Sequence, residues 1–198
     1  MREPSLMPIT RCFLLASSLA RLIEKERGGH RVTEGYFPDQ PGRTTYVRVE
    51  EGIGSLILVR HVSGEQVEEP TELPRNQTEA LLDLAQGGIA YRRILLSLGS
   101  SRVQVCRFTA PGLLDLVSVE FDQDEHARAF QPLDWFGPEV TDESAYQNRS
   151  LALAGLPEAP EVDLADAALN SLLDSLENRS GARRRPQQRT WIKERAAS

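Results

Sequence analysis

Cysteine is nearly absent from this chain, with only Cys12 and Cys106 in 198 residues. Two cysteines so far apart give neither a metal-ligand spacing nor a disulfide framework. They read as buried thiols in a reducing cytoplasm, with one bridge between them as the alternative. Histidine is equally sparse: His30, His61 and His126 are scattered and form no cluster. The chain has no Gly-rich phosphate loop, no H-E-x-x-H and no nucleophile elbow, which leaves several large enzyme classes without their signature. Long apolar runs are missing too. "LLDLA" and "SLILV" are far too short to span a bilayer, so no membrane partner is expected. "ITRCFLLASSLA" has the brief apolar run of a signal peptide, but "RLIEKER" follows directly, and the segment reads as a strand entering a helix.

What is present is an ordinary globular composition with an uneven charge. Residues 179–198 hold seven Lys/Arg against the single acid Glu194, so a chain of net charge −6 divides into a body at −12 and a tail at +6. Such a tail is either a solvated end or a contact for nucleic acid or another acidic partner.

Turn signals divide the body into short segments. "LARLIEKER" places Leu19, Leu22 and Ile23 at helical spacing before the "GG" stop at 28–29. "HRVTEGYF", "TTYVRVEE" and "SLILVRHV" read as strands, the last two joined as a hairpin by "EGIG". "EQVEEPTELP" contains Pro70 and suits an edge or interrupted strand. "NQTEALLDLAQGG" reads as a helix that Asn76 or Thr78 can cap and Gly87 ends. Three more strands follow, "AYRRILLSL", "SRVQVCRF" and "LLDLVSVEF", and then the short helix "DQDEHARAF". Hairpins outnumber crossovers, so the class is α+β. "PEAPE" is a stiff linker, and "VDLADAALNSLLDSLEN" is an amphipathic helix with Asp163 placed to cap it and Leu164, Ala168, Leu172 and Leu176 recurring.

The strands alternate. Val47 and Val49 oppose Arg48 and Glu50; Val103 and Val105 oppose Arg102, Gln104 and Cys106; Val117, Val119 and Phe121 oppose Ser118 and Glu120. Either the polar face is solvated, or the sheet curls and the polar face lines an interior where charges pair or hold a ligand.

Eight motifs in order favour the second reading. "PITRCFLL", "TEGYF", "YVRVE", "LILVR", "TELP", "IAYRR", "VSVEF" and "WFGPEVTDESAYQN" together resemble the CYTH superfamily, the triphosphate tunnel metalloenzymes, over residues 8–153. The resemblance implies a CYTH-like antiparallel β-barrel with flanking helices over residues 1–156. Residues 157–178 then form a linker and short helix, and residues 179–198 a basic tail without fixed structure. It also implies a tunnel in which Arg and Lys hold a triphosphate while glutamates bind Mg²⁺ or Mn²⁺. Family members are adenylyl cyclases and inorganic, thiamine and RNA triphosphatases.

Carried over residue by residue, the family's phosphate-binding cations fall on Arg48, Arg60 and Arg93, with Arg11 matching in the first strand. Its carboxylates fall on Glu72, Glu120 and Glu139 as candidate metal ligands. The departures are concentrated in the tunnel. Pro8, Thr10 and Cys12 stand where the first strand carries two glutamates and a lysine, and Glu50, Tyr91 and Ser118 replace other charged positions. Losing several parts of one constellation together normally abolishes chemistry. The leading expectation is a non-catalytic protein that needs no cofactor and binds a phosphate-rich anion or a protein partner. The alternatives are a divergent Mg²⁺- or Mn²⁺-dependent triphosphatase or adenylyl cyclase, and an adaptor working through its tail.

Overall fold

Alternating β-branched and polar residues set the strands, and the turns between them are short. The computed structural model describes residues 5–6, 9–38, 40–62, 65–98 and 101–181; the basic tail of the sequence reading falls almost wholly outside them. In chain order the elements are β1 (Ser5–Leu6), β2 (Ile9–Leu14), α1 (Ser17–Arg27), β3 (His30–Tyr36), β4 (Arg43–Glu50), β5 (Ile53–Val62), β6 (Glu65–Leu73) and α2 (Arg75–Asp83). These continue as β7 (Gly87–Leu98), β8 (Ser101–Ala110), β9 (Leu114–Phe121), α3 (Asp124–Ala129), a 3-10 turn (Ser144–Tyr146), α4 (Asn148–Ala154) and α5 (Asp166–Gly181). No helix among the described residues is long and apolar enough to cross a membrane.

The strands form one antiparallel sheet in the order β1-β6-β5-β4-β3-β7-β8-β9-β2. The β4–β5 hairpin turns at Glu51-Gly52, both with positive φ (51° and 82°), as a two-residue primed turn requires. The two edges of the sheet are consecutive pieces of chain. β1 lies on β6 and β2 lies on β9, and only residues 7–8 separate them. Leu6 and Ile9 are three Cα steps apart, about 11 Å at most, so the sheet must curl until its edges nearly meet. Among the described residues no ladder joins those edges. Instead the segment after Trp135 runs along the free side of β2: Gly137 N donates to Leu14 O, Leu14 N to Pro138 O, and Val140 N to Cys12 O, at 2.8–2.9 Å. The "FGPEVT" stretch therefore fills the seam of a curled, tunnel-like sheet.

Two cores follow from the two faces. Outside, Val103, Val105, Val117 and Val119 pack beneath α1, α5 and the fully buried Trp135. Inside, Val32, Ile57, Ile89, Phe108, Leu116 and Leu151 fill one end of the tunnel. The helix α5 belongs to the body: Ala168, Leu172 and Leu176 join the outer core, and Arg27 Nη2 donates to Leu176 O at 2.7 Å.

Three helix-end expectations need correction. The helix α2 begins directly after Pro74, and Thr78 sits inside it donating to Pro74 O, so neither Asn76 nor Thr78 caps it. It is over by Leu84, and Gly87 opens β7 instead of ending α2. The helix α5 starts at Asp166, which leaves Asp163 and the half-exposed Leu164 in the preceding loop. The helix α4 carries no motif that sequence reasoning singled out as helical.

Candidate functional site: the tunnel

Register decides which side chains enter the tunnel. Glu34 pairs across to Arg48, Arg48 to Ser55, and Ser55 to Glu72, so these four share the inner face. Tyr91, Cys106 and Leu116 share it on the other side, as do Gln104, Ser118 and Cys12. Arg93, Glu120 and Arg48 therefore point inward, as the strand alternation predicts.

Arg60 does not. Its position on β5 shares parity with Leu56 and Leu58, and it ion-pairs with Glu69 on the outer face. Arg11 and Glu139 are outside as well and bind each other: Arg11 Nε reaches Glu139 Oε1 at 2.8 Å and Nη2 reaches Oε2 at 2.5 Å. Arg11 also donates to the carbonyls of Ala127 and Phe130, so this fork clamps α3 and the seam segment onto β2. Hydrogen bonding to Arg11 holds the Glu139 carboxyl below its ordinary value. The three glutamates Glu72, Glu120 and Glu139 are not brought together, and among the described residues no three His, Cys, Asp or Glu are grouped to hold a metal.

The centre of the site lies within the "TEGYF" motif but is not among the residues carried over as candidates. Glu34, fully buried, accepts from Arg48 Nε at 2.8 Å, Tyr36 OH at 2.7 Å, Tyr91 OH at 3.1 Å and Asn148 Nδ2 at 3.1 Å. A carboxylate out of water is tolerable only with such a set of donors. Burial opposes the charge on Arg48, but Glu34 and the neighbouring tyrosines outweigh it and raise its pKa. Burial and then the Glu34 charge raise the pKa of Tyr36 and Tyr91, keeping both as donors. The late "YQN" motif thus ends on the same carboxylate through Asn148. A second cluster continues the chain of contacts. Arg93 Nη2 donates to Tyr91 OH at 3.0 Å, Arg93 Nη1 to Glu50 Oε1 and Oε2 at 2.8 and 3.0 Å, and His30 Nε2 lies 2.5 Å from Glu50 Oε1. Glu50, standing where the family has a cation, has become the partner of Arg93.

Beside this network lies a cavity of about 580 Å³. One wall is neutral and polar: Thr10, Cys12, Gln104, Cys106 and Ser118. Aromatic surface comes from Tyr36, Tyr46 and Tyr146, with Tyr36 and Tyr46 stacked at 5.0 Å, and from Phe108 further along β8. Its charged lining is Arg48 and Arg149 against Glu68 and Glu143. Glu68 accepts from Tyr46 OH at 2.6 Å, and Arg149 donates to Phe37 O at 3.2 Å. Both cysteines are free; they lie on the strands either side of β9, opposite Ser118 and Leu116, so their Cα atoms are roughly 10 Å or more apart, beyond disulfide reach. Burial pushes each thiol up to about 12, so both are protonated at neutral pH.

A hard divalent cation needs carboxylate or carbonyl oxygens directed at one point. The wall built by β2, β8 and β9 presents two thiols, two hydroxyls and an amide there. Of the inward carboxylates, Glu34 and Glu50 already accept from arginine, tyrosine or histidine, while Glu72 and Glu120 face inward on β6 and β9 without joining a group of three ligands. With no three such ligands grouped among the described residues, those present do not form a site that fits Mg²⁺ or Mn²⁺.

No family model matches the chain. A stretch of 41 residues is 51% identical to an inorganic triphosphatase of Nitrosomonas europaea, a match spanning 21% of this chain and 27% of that protein. Two crystal structures share the fold. One, described as the inorganic triphosphatase NE1496, superposes with a TM-score of 0.55 at 23% identity over 75% of this chain and 96% of its own. The other, also of NE1496, gives 0.56 at 23% identity over 76% and 100%. Curled sheet, ordered motifs and solved neighbours agree: this chain is built on the triphosphate-tunnel fold of the CYTH superfamily.

Proposed function

We propose that this protein is a non-catalytic binding module on a triphosphate-tunnel scaffold. The observation that carries this reading is the pairing inside the tunnel. Arg48 is bound to Glu34 and Arg93 to Glu50, so the cations that the resemblance assigns to phosphate already answer carboxylates of the same chain. The neutral inner face of β2 supports it, since Thr10 and Cys12 supply neither the carboxylate nor the cation that stabilises charge building on phosphoryl oxygens. A phosphate-rich anion is opposed by the same balance. The unpaired thiols support a reducing compartment, the cytoplasm.

The test is hydrolysis of tripolyphosphate, ATP and thiamine triphosphate by the full chain with Mg²⁺ or Mn²⁺. Turnover at background level is expected, and an ordinary enzymatic rate would overturn the reading. That outcome would establish a divergent triphosphatase, the alternative that the 51% identical segment favours. Combining Pro8→Glu, Thr10→Glu and Cys12→Lys asks whether the missing strand chemistry is sufficient to restore activity.

A further inference from the structure

The tunnel cavity has its own chemistry, and we propose that it binds an uncharged, flat heteroaromatic molecule of nucleoside size, carrying several hydrogen-bonding groups and no phosphate. This rests on the reading of the tunnel as a binding site and names the ligand class.

Three features of the cavity point the same way. Its charges balance: Arg48 and Arg149 face Glu68 and Glu143, and Arg48 is also held by Glu34 behind the wall. A polyphosphate entering there meets no net positive potential, and in a partly desolvated site an unbalanced anion is strongly disfavoured. A neutral guest disturbs nothing. The walls, secondly, are of two kinds. Ser118 and Gln104 place a hydroxyl and an amide oxygen on one wall, the Gln104 Nε2 donating to Cys106 Sγ at 3.1 Å, and the neighbouring thiols are uncharged at neutral pH. Tyr46 and Tyr146, with Phe108 two residues along β8 from Cys106, give the aromatic surface that a flat ring covers. An apolar body with a few directed polar groups is the general form of a small-molecule site. Thirdly, about 580 Å³ is room for a molecule of that size.

Isothermal titration of the full chain, without metal, decides it. The probes are adenosine, inosine and uridine, each beside its own triphosphate, with tripolyphosphate as the phosphate-only arm. At least one nucleoside should bind, and its triphosphate should bind about tenfold or more weakly. Ser118→Trp should fill the cavity and remove binding. Gln104→Leu, which keeps bulk and deletes the amide, should weaken binding several-fold even if the tryptophan variant does not fold. A triphosphate that binds tighter than its nucleoside, or a panel in which no nucleoside binds, would overturn the ligand class. Neither result concerns turnover, so the non-catalytic reading stands or falls separately in the hydrolysis assay.

Discussion

Arg48 Nε donates to Glu34 Oε1 at 2.8 Å, and the carboxylate it meets has no exposed surface at all. Each residue makes the other tolerable inside the sheet. Arg48→Met should therefore destabilise the fold by about 3–5 kcal/mol, because it leaves a buried charge without its counter-ion. Glu34→Gln combined with Arg48→Met should recover much of that loss. Urea unfolding of the two variants checks both.

Leu172 is fully buried between α5 and the outer core, whereas its neighbour Leu173 is 39% exposed. Leu172→Ala should lower stability by roughly 2–5 kcal/mol. Leu173→Ala should change it by less than about 0.5 kcal/mol. Equal effects in equilibrium denaturation would contradict the docking of α5 on the body.

Gly87 begins β7 where α4 crosses it, and a Cβ there would lie 2.1 Å from the Ala152 carbonyl oxygen. Gly87→Ala must push α4 away, with a loss on the order of 1–3 kcal/mol. Since α4 starts at Asn148, the shift should also disturb the Glu34 network. Near-ultraviolet circular dichroism, which reports the packing of the surrounding tyrosines, should change together with the unfolding midpoint.

These sites differ in how far the sequence disclosed them. Alternation in "YVRVE", "SRVQVCRF" and "VSVEF" gave the correct faces, because each strand has one clearly apolar side. "SLILVR" is apolar on both sides, so nothing local says whether Arg60 faces in or out; only the β5–β6 register places it beside Glu69. Glu34 was hidden for a related reason. A glutamate between Thr33 and Gly35 reads as solvent-facing, and its donors come from β4, β7 and α4, distant in sequence. Its signal was Tyr36, two residues along and on the same face. Arg11 and Glu139 matched the family's positions in sequence, yet each satisfies the other on the outside.

Below the ordinary glutamate value, Glu139 should contribute to acid sensitivity. Arg11 holds its folded pKa under 4.5, so the stabilisation is complete above that value and is lost as pH falls through the depressed one. Comparing the protein with Glu139→Gln, the acid limb of the stability–pH curve should be shallower in the variant. The difference should be small, because the carboxylate is partly exposed.

The thiols act at the opposite end. Cys12 and Cys106 are raised from 9.0 to about 12 by burial, so an unfolded chain ionises them first. The stability they support is intact below pH 9.0 and declines as pH rises toward about 12. Cys12→Ala with Cys106→Ala should flatten that decline in unfolding measured between about pH 8 and pH 11.

One stretch of about ten residues covers both margins of the sheet, but the margins are unequal. Among the described residues β6 is paired outward at Val67 and Glu68, and its rim also carries Pro70, which has no N–H to offer, with Glu69 and Glu72. The strand β9 has no proline: "LDLVSVEF" is apolar at most positions and is covered by β2 from Leu116 to Phe121. Displacing β2 would uncover a row of unsatisfied amides beside valines, a template for strand addition by another chain. By pairing with β9 from Ile9 to Leu14, β2 keeps that row of amides from another chain.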